Sequence, residues 1–415
     1  MAFDFQGYQP RGDKKNSELF EIYRHKIFER RQQCGLMDLL GEIGALVIQI
    51  DHGDGIDYLE ELYLMTPMRL KVSFLTDTHK VYILAGDPRF PIYMVMEPLS
   101  NSFEDDLTRL NMLYPNARQK PNARYVGEVF STKDKDETQR LLEEHDIRFH
   151  VPAVGQNALF SDSRFSFTQP SDFTGNLVGY SQLDLHDSEA LVVGERFELN
   201  SAESARLAAA DERSDETGLK DLILGVDHMA TRILSGERED AILEFLTLSN
   251  YYFWGAYNIK EMNSSTNVNR NPFVKDDKVS PAKVFTANNT PSFVNSFEGL
   301  PMPTENFVRN YGRRMHHIAF EVKDGDRGSS GKNVDYVVKT LKGFDKEFLA
   351  HVVGECRDEP NLKQIFSKHS PYSILITEYV ERCFGFDGFF TKDNVAALTE
   401  AAGLDERFEH GHVFD

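Results

Sequence analysis

Cysteine is scarce in this chain. The three in 415 residues (Cys34, Cys356 and Cys383) have no paired spacing, which gives neither a disulfide framework nor a thiolate zinc site. Positive charge is also in deficit: 46 Lys and Arg face 66 Asp and Glu, for a formal net charge of −20. So acidic a chain repels phosphate backbones and anionic lipid, so neither nucleic acid nor a membrane is expected as a partner. No run approaches the roughly 18 apolar residues of a membrane span. The opening MAFDFQGYQPRGDKKNSELF lacks the apolar stretch of a secretory signal, and a cytoplasmic protein is expected. The length predicts two or three domains, or one built by duplication.

What is present is a recurring order of elements. After the polar, helical-looking residues 1–36, the runs 44–50, 71–75, 80–86 and 91–99 read as strands bounded by turn residues. A second cycle opens at ARYVGEVFST (123–132), continues with a charged helix over 134–145 and ends in RFSFTQ and LVGYSQLDL. The charge-dense stretch after residue 186 contains the helix SAESARLAAADER and marks a junction. The order restarts at LILGVDHMATRIL (222–234) and at RMHHIAFEV (314–322), the latter leading to a helix VDYVVKTLKGF and a strand SILITEYVERC. PSFVNSFE (291–298) reads as a strand, DEPNLKQIFSK (358–368) as a helix, and TKDNVAALTEAAG (391–403) as a C-terminal helix. The expected fold is α+β, with tandem βαβββ modules forming two open barrel-like half domains. The divisions are a helical extension (1–36), a first domain (37–186), a charged linker (187–221) and a second domain (222–415). Asp51, Asp54 and Asp57 lack the later bidentate Glu of a calcium loop and read as a solvated turn.

Two of the 13 histidines stand out by context. His228 in V-D-H-M-A-T and His317 in M-H-H-I-A-F-E-V each lie in a strand-like run at the opening of a module. Alternation puts Ala230 beside His228 and Ala319 beside His317, which leaves room next to each imidazole. The same alternation turns His316 away. Glu378 interrupts an apolar strand, where a buried, unpaired carboxylate would cost several kcal/mol; Glu381, at odd spacing from it, lies on the other face. Two His and one carboxylate with open positions suit non-haem Fe(II). Spacing alone leaves open a blander arrangement of two satisfied core histidines and a glutamate at the barrel rim.

The segments V-D-H (226–228), H-I-A-F (317–320) and E-Y-V-E-R (378–382), in this order, resemble the C-terminal half of the 4-hydroxyphenylpyruvate dioxygenase family. That family belongs to the vicinal-oxygen-chelate superfamily. A-N-N (287–289), N-F-V-R-N-Y-G and C-F-G-F-D-G-F-F are similar to further family segments, and the likeness covers residues 222 to 402. The resemblance implies one Fe(II) per chain on His228, His317 and Glu378, with no catalytic residue beyond these ligands. It also implies an α-keto acid and O₂ as co-substrates, with 4-hydroxyphenylpyruvate converted to homogentisate in tyrosine catabolism. Asn295, Glu298, Gln364, Phe389 and Phe390 fall at substrate-contacting positions, the last two on a lid. The family's Asn-Glu-Pro core is absent from N-S-F-E-G-L-P (295–301). A hydroxymandelate synthase-like or aliphatic α-keto acid oxygenase shares every ligand named. An extradiol ring-cleaving dioxygenase and a non-catalytic binding protein of the same fold are the remaining alternatives, and a homo-oligomer (dimer or tetramer) is expected.

Overall fold

In the computed structural model the described residues are 3–5, 7–151, 155–272, 278–291, 301–328, 331–357 and 359–403. A short strand β1 (Arg11–Gly12) and a helix α1 (Glu21–Cys34) precede the first sheet. That sheet is formed by β2 (Leu40–Gln49), β3 (Arg69–Leu75), β4 (His79–Ala85), β5 (Ile92–Pro98), β6 (Arg124–Thr132), β7 (Phe165–Phe167), β8 (Leu177–Ser181) and β9 (Glu195–Arg196). The second is formed by β10 (Ile223–Arg232), β11 (Tyr252–Ile259), β12 (Ser264–Arg270), β13 (Ala282–Asn288), β14 (Arg314–Val322), β15 (Asn361–Phe366) and β16 (Ile376–Cys383), with β1 at its edge.

The spatial orders, β7-β8-β6-β2-β5-β4-β3-β9 and β15-β16-β14-β10-β13-β12-β11-β1, are the same. At each centre the first strands of two modules run antiparallel, β2 with β6 and β10 with β14. Each has a parallel neighbour on its other side, which requires a crossover. Helices α2 (Gly55–Met65) and α3 (Lys135–Glu143) follow β2 and β6. After the junction helix α4 (Ser201–Glu216), α5 (Arg238–Leu248) follows β10. The helix α6 (Pro303–Tyr311) leads into β14, α7 (Asn333–Lys342) follows it, and α8 (Lys392–Gly403) closes the described chain. In the second module of each half the strand expected next is reduced to isolated bridges, at Phe149–Thr168 and Phe348–Ser367.

Alternation assigns the cores. Ala45 and Val47 of β2 join Phe74, Ile83, Met94 and Val129 in an apolar interior of the first half. Leu46 and Ile48 point the other way, into a cluster shared with Val226, Ile318, Phe320 and Tyr379 of the second half. The halves meet closely there: a Cβ on Gly225 would stand 2.2 Å from the Phe90 ring, so glycine is required for the approach. One buried ion pair also crosses the boundary, Lys283 Nζ to Glu128 at 2.8 and 2.9 Å, with Tyr125 donating to the same carboxylate. Lys283→Met is therefore expected to cost about 3–5 kcal/mol in a denaturant titration, because Glu128 is left buried and unpaired. Adding Glu128→Leu should recover much of it, whereas equal losses in the single and double variants would contradict the assignment.

Three expectations are corrected. Residues 361–366 are a strand, not part of a helix, because antiparallel pairing with β16 (Ile365 opposite Tyr379) overrides the local propensity. Ser264–Arg270 forms an unanticipated strand in the interior of the second sheet. The cysteines are not all free: Cys356 and Cys383, 27 positions apart, form a disulfide where the chain before β15 runs beside the end of β16. The expected strand at 291–298 lies almost wholly outside the described residues. No described helix is long and apolar enough to cross a membrane.

Candidate metal centre

Three adjacent strands bring the centre together. β14 lies between β10 and β16, and Ala319 is opposite both His228 and Glu378, while Ala230 is opposite His317. The two alanines thus stand in the gaps between the larger side chains, as alternation requires. His228 Nε2 lies 3.0 Å from Glu378 Oε2, and His317 Nε2 lies 3.2 Å from the same oxygen. Donors at roughly 2.1 Å from one ion, at right angles to each other, stand about 3 Å apart, so these separations already match one face of a coordination polyhedron. His228 is 0% exposed, Glu378 1% and His317 8%. Neither Glu378 oxygen nor His228 Nε2 makes a hydrogen bond of acceptable geometry. A buried carboxylate so placed is costly, and a cation held by the three atoms would remove that cost. The residues present fit a divalent metal ion.

His228 is oriented from behind. Its Nδ1 lies 2.7 Å from Asp227 Oδ1, and Arg382 grips the same carboxylate through Nε (2.9 Å) and Nη2 (2.7 Å). With Nδ1–H donating to Asp227, the Nε2 lone pair faces the centre. A β-bulge makes this contact possible: Val226 is opposite Phe320 and His228 opposite Ala319, so Asp227 is the extra residue. Burial disfavours charge on His228, but the Glu378 and Asp227 carboxylates prevail and raise its pKa to about 9. Burial, then His228 and Arg232, push His317 far below the usual range. Burial likewise raises Glu378, against the pull of His228.

The expectation that His316 turns away is corrected by a second bulge. Ala230 is opposite His317 and Thr231 opposite Met315, which leaves His316 as the additional residue. Its Nδ1 lies 2.8 Å from His317 Nδ1, and both rings line the same cavity. Gln364 also lines that cavity, 1% exposed, because β15 is a strand. Phe390 meets the His228 ring edge-on at 5.1 Å and Phe389 lies at 5.7 Å. Arg382 Nη1 donates to the Phe389 carbonyl at 2.7 Å, and the Tyr257 hydroxyl to Gly388 O. Asn295 and Glu298 lie outside the described residues. Sequence reasoning missed Asp227, Arg382 and Arg232; the lone carboxylate beside His228 in V-D-H was the available signal for the first.

Glu381 belongs elsewhere, as its odd spacing implied. Its carboxylate accepts from Gly325 N and Val334 N, and burial pushes it up to about 7. It clusters with Asp324 and Cys383, but that cysteine's sulfur is committed to the disulfide. The solvated turn expected at 51–57 is corrected: Asp57 lies in the first turn of α2, Asp51 and Asp54 are only 16% and 18% exposed, and Asp54 and Asp57 are ion-paired with Lys120 and Arg206. A larger cleft of ≈ 1040 Å³ runs past Phe3, Glu42 and His186, and none of the three donor residues lines it.

No family model and no curated protein sequence matches the chain. Among solved structures it is similar to a mutant of 4-hydroxymandelate synthase from Streptomyces coelicolor, at 16% identity and a TM-score of 0.58 over 88% of this chain and 98% of that one. It is also similar to a xylose isomerase-like TIM barrel/4-hydroxyphenylpyruvate dioxygenase fusion protein, at 11% identity and a TM-score of 0.51. That match covers 95% of this chain and 60% of the fusion. These likenesses show the fold: two mixed sheets in the vicinal-oxygen-chelate arrangement, one of them curled into a half-barrel.

Proposed function

We propose that the chain is an Fe(II)-dependent oxygenase that decarboxylates and oxygenates an α-keto acid. The 4-hydroxyphenylpyruvate to homogentisate reaction is the leading member of that class, and hydroxymandelate-forming or aliphatic variants stand behind it. One observation carries the reading: two imidazoles and a carboxylate converge, buried and without better partners, on the interior of the second half. Non-haem iron is the ion such a set suits, and when bound it would supply the redox chemistry with O₂.

The protein's own residues bind and exclude. His228, His317 and Glu378 occupy one side of the ion's position, leaving its other side to the cavity. Gln364 Oε1, buried without a hydrogen-bond partner, is placed to receive a donor from substrate. Phe389 and Phe390 keep water from the centre. The free volume there is ≈ 50 Å³, room for a few waters. Ligand pockets run to about 300 Å³ and more, so an α-keto acid enters only as Phe390 and α8 move outward.

His316 supports a second reading. Extradiol cleavage of a catechol needs an acid–base histidine beside the metal, and the bulge puts one in the cavity. One experiment separates the two. The Fe(II)-loaded protein, without added 2-oxoglutarate, is offered 4-hydroxyphenylpyruvate, phenylpyruvate, 2-oxoisocaproate and a catechol while O₂ uptake and CO₂ release are followed. Matched O₂ uptake and CO₂ release with a keto acid is the expected result. Ring-cleaved catechol with no CO₂ from any keto acid would replace it by the second reading.

A further inference from the structure

Among the described residues Arg232 is the one strong cation lining the triad's cavity, and it makes no hydrogen bond or ion pair with the three donor residues. His228, Ala230 and Arg232 follow one another at alternate positions of β10, so all three face the interior. Four residues of strand separate the Cα atoms of His228 and Arg232 by about 13 Å, which sets Arg232 toward the far end of the cavity from the ligand His228. The side chain is 5% exposed. Its one hydrogen bond among the described residues runs from Nη1 to the Pro303 carbonyl at 3.3 Å, and its guanidinium lies 5.0 Å from the Phe307 ring centroid. It joins no ion pair among the described residues. Burial alone lowers its pKa, to about 9, with no carboxylate pulling the other way.

A buried guanidinium has five donors and a charge to satisfy, and a carbonyl plus a ring face leave most of that unmet. Among the described residues lining the cavity the one carboxylate is Glu378, which belongs to the triad and makes no ion pair with Arg232; Thr266, Val284 and Thr286 offer no countercharge. Simple packing would favour an apolar side chain at this position.

We infer that Arg232 selects a substrate with a second anionic group: an α-keto acid that ends in a carboxylate, held by Arg232 while the 2-oxo acid end lies at the triad. This rests on the α-keto acid reading for the metal end, whereas the anion subsite at Arg232 is a separate claim about the chain. A bidentate guanidinium–carboxylate contact at a largely buried position is strong and geometrically selective. It also accounts for an Arg rather than a Lys, whose point charge cannot match both oxygens.

The test compares acids that differ only at the far end: 2-oxoadipate against 2-oxohexanoate, and 4-carboxyphenylpyruvate against phenylpyruvate. Binding is followed by quenching of Trp254, the sole tryptophan, 5.7 Å from Phe389. Anaerobic Fe(II)-loaded protein and metal-free protein are titrated in parallel. The terminal carboxylate is expected to tighten binding by roughly tenfold to hundredfold. Arg232→Met should abolish that preference, Arg232→Lys should keep part of it, and both should retain Fe(II). Equal affinities for both members of each pair, or a preference that survives Arg232→Met, would overturn the inference. Failure of the wild type to take up Fe(II) would overturn the metal reading instead. A preference persisting in that metal-free protein, and lost in Arg232→Met, would still support the anion subsite.

Discussion

Glu378→Gln is expected to abolish Fe(II) binding and leave the metal-free protein at least as stable as the wild type. The loss should exceed the 10–100-fold typical of an outer partner, because a charged ligand is removed from a set of three. The unchanged stability follows from the carboxylate itself: its desolvation, with no hydrogen bond of acceptable geometry to either oxygen, offsets its attraction to the His228 ring 3.0 Å away. With Fe(II) at a thousand times its Kd, the wild type should gain about 4 kcal/mol of stability, and Glu378→Gln none. His228→Ala and His317→Ala should lose the same gain. A glutamate that merely completed a core network would behave oppositely. Its replacement would destabilise the fold by several kcal/mol, and Fe(II) would have no effect on either protein.

Asp227→Asn is expected to weaken Fe(II) binding about 10–100-fold, without touching a ligand. The amide can still meet His228 Nδ1, but it no longer holds the imidazole by charge and leaves the largely shielded Arg382, 16% exposed, without its ion-pair partner. Stability should fall by about 3–5 kcal/mol. Arg382→Leu combined with Asp227→Asn should restore much of that stability without restoring the affinity. That split separates orientation of the ligand from general support. Arg382 also holds the Phe389 carbonyl, so one guanidinium links the support behind His228 to the backbone that precedes α8. Isothermal titration with Fe(II) and urea denaturation read the two effects independently. Equal recovery of both in the double variant would reduce Asp227 to a structural residue.

Much of the fold was legible because each module opens on an apolar, β-branched run. The runs around His228 and His317 proved to be the central strands of the second sheet. The alanines lie opposite the larger side chains on three adjacent strands, so alternation put His228, His317 and Glu378 forward as candidates, while spacing alone left two core histidines and a rim glutamate open. Three features could not. β12 is Ser-Ser-Thr-Asn-Val-Asn-Arg, with Ser264, Asn267 and Asn269 buried, and a polar strand inside a sheet carries no apolar alternation to detect. Gln364 sits in a segment whose local propensity is helical, and only pairing with β16 makes it a strand facing the cavity. The bulges at Asp227 and His316 shift alternation by one residue, which depends on the partner strand and leaves no mark in either sequence. The Cys356–Cys383 pairing likewise depends on β15 and β16 lying side by side.

The most direct test of the central claim is anomalous diffraction at the iron edge from crystals of the protein loaded anaerobically with Fe(II). The account predicts one peak per chain, about 2.0–2.2 Å from His228 Nε2, His317 Nε2 and a Glu378 oxygen, with its open side toward Phe390. No peak there, or a peak at Asp324 and Glu381 instead, would contradict it.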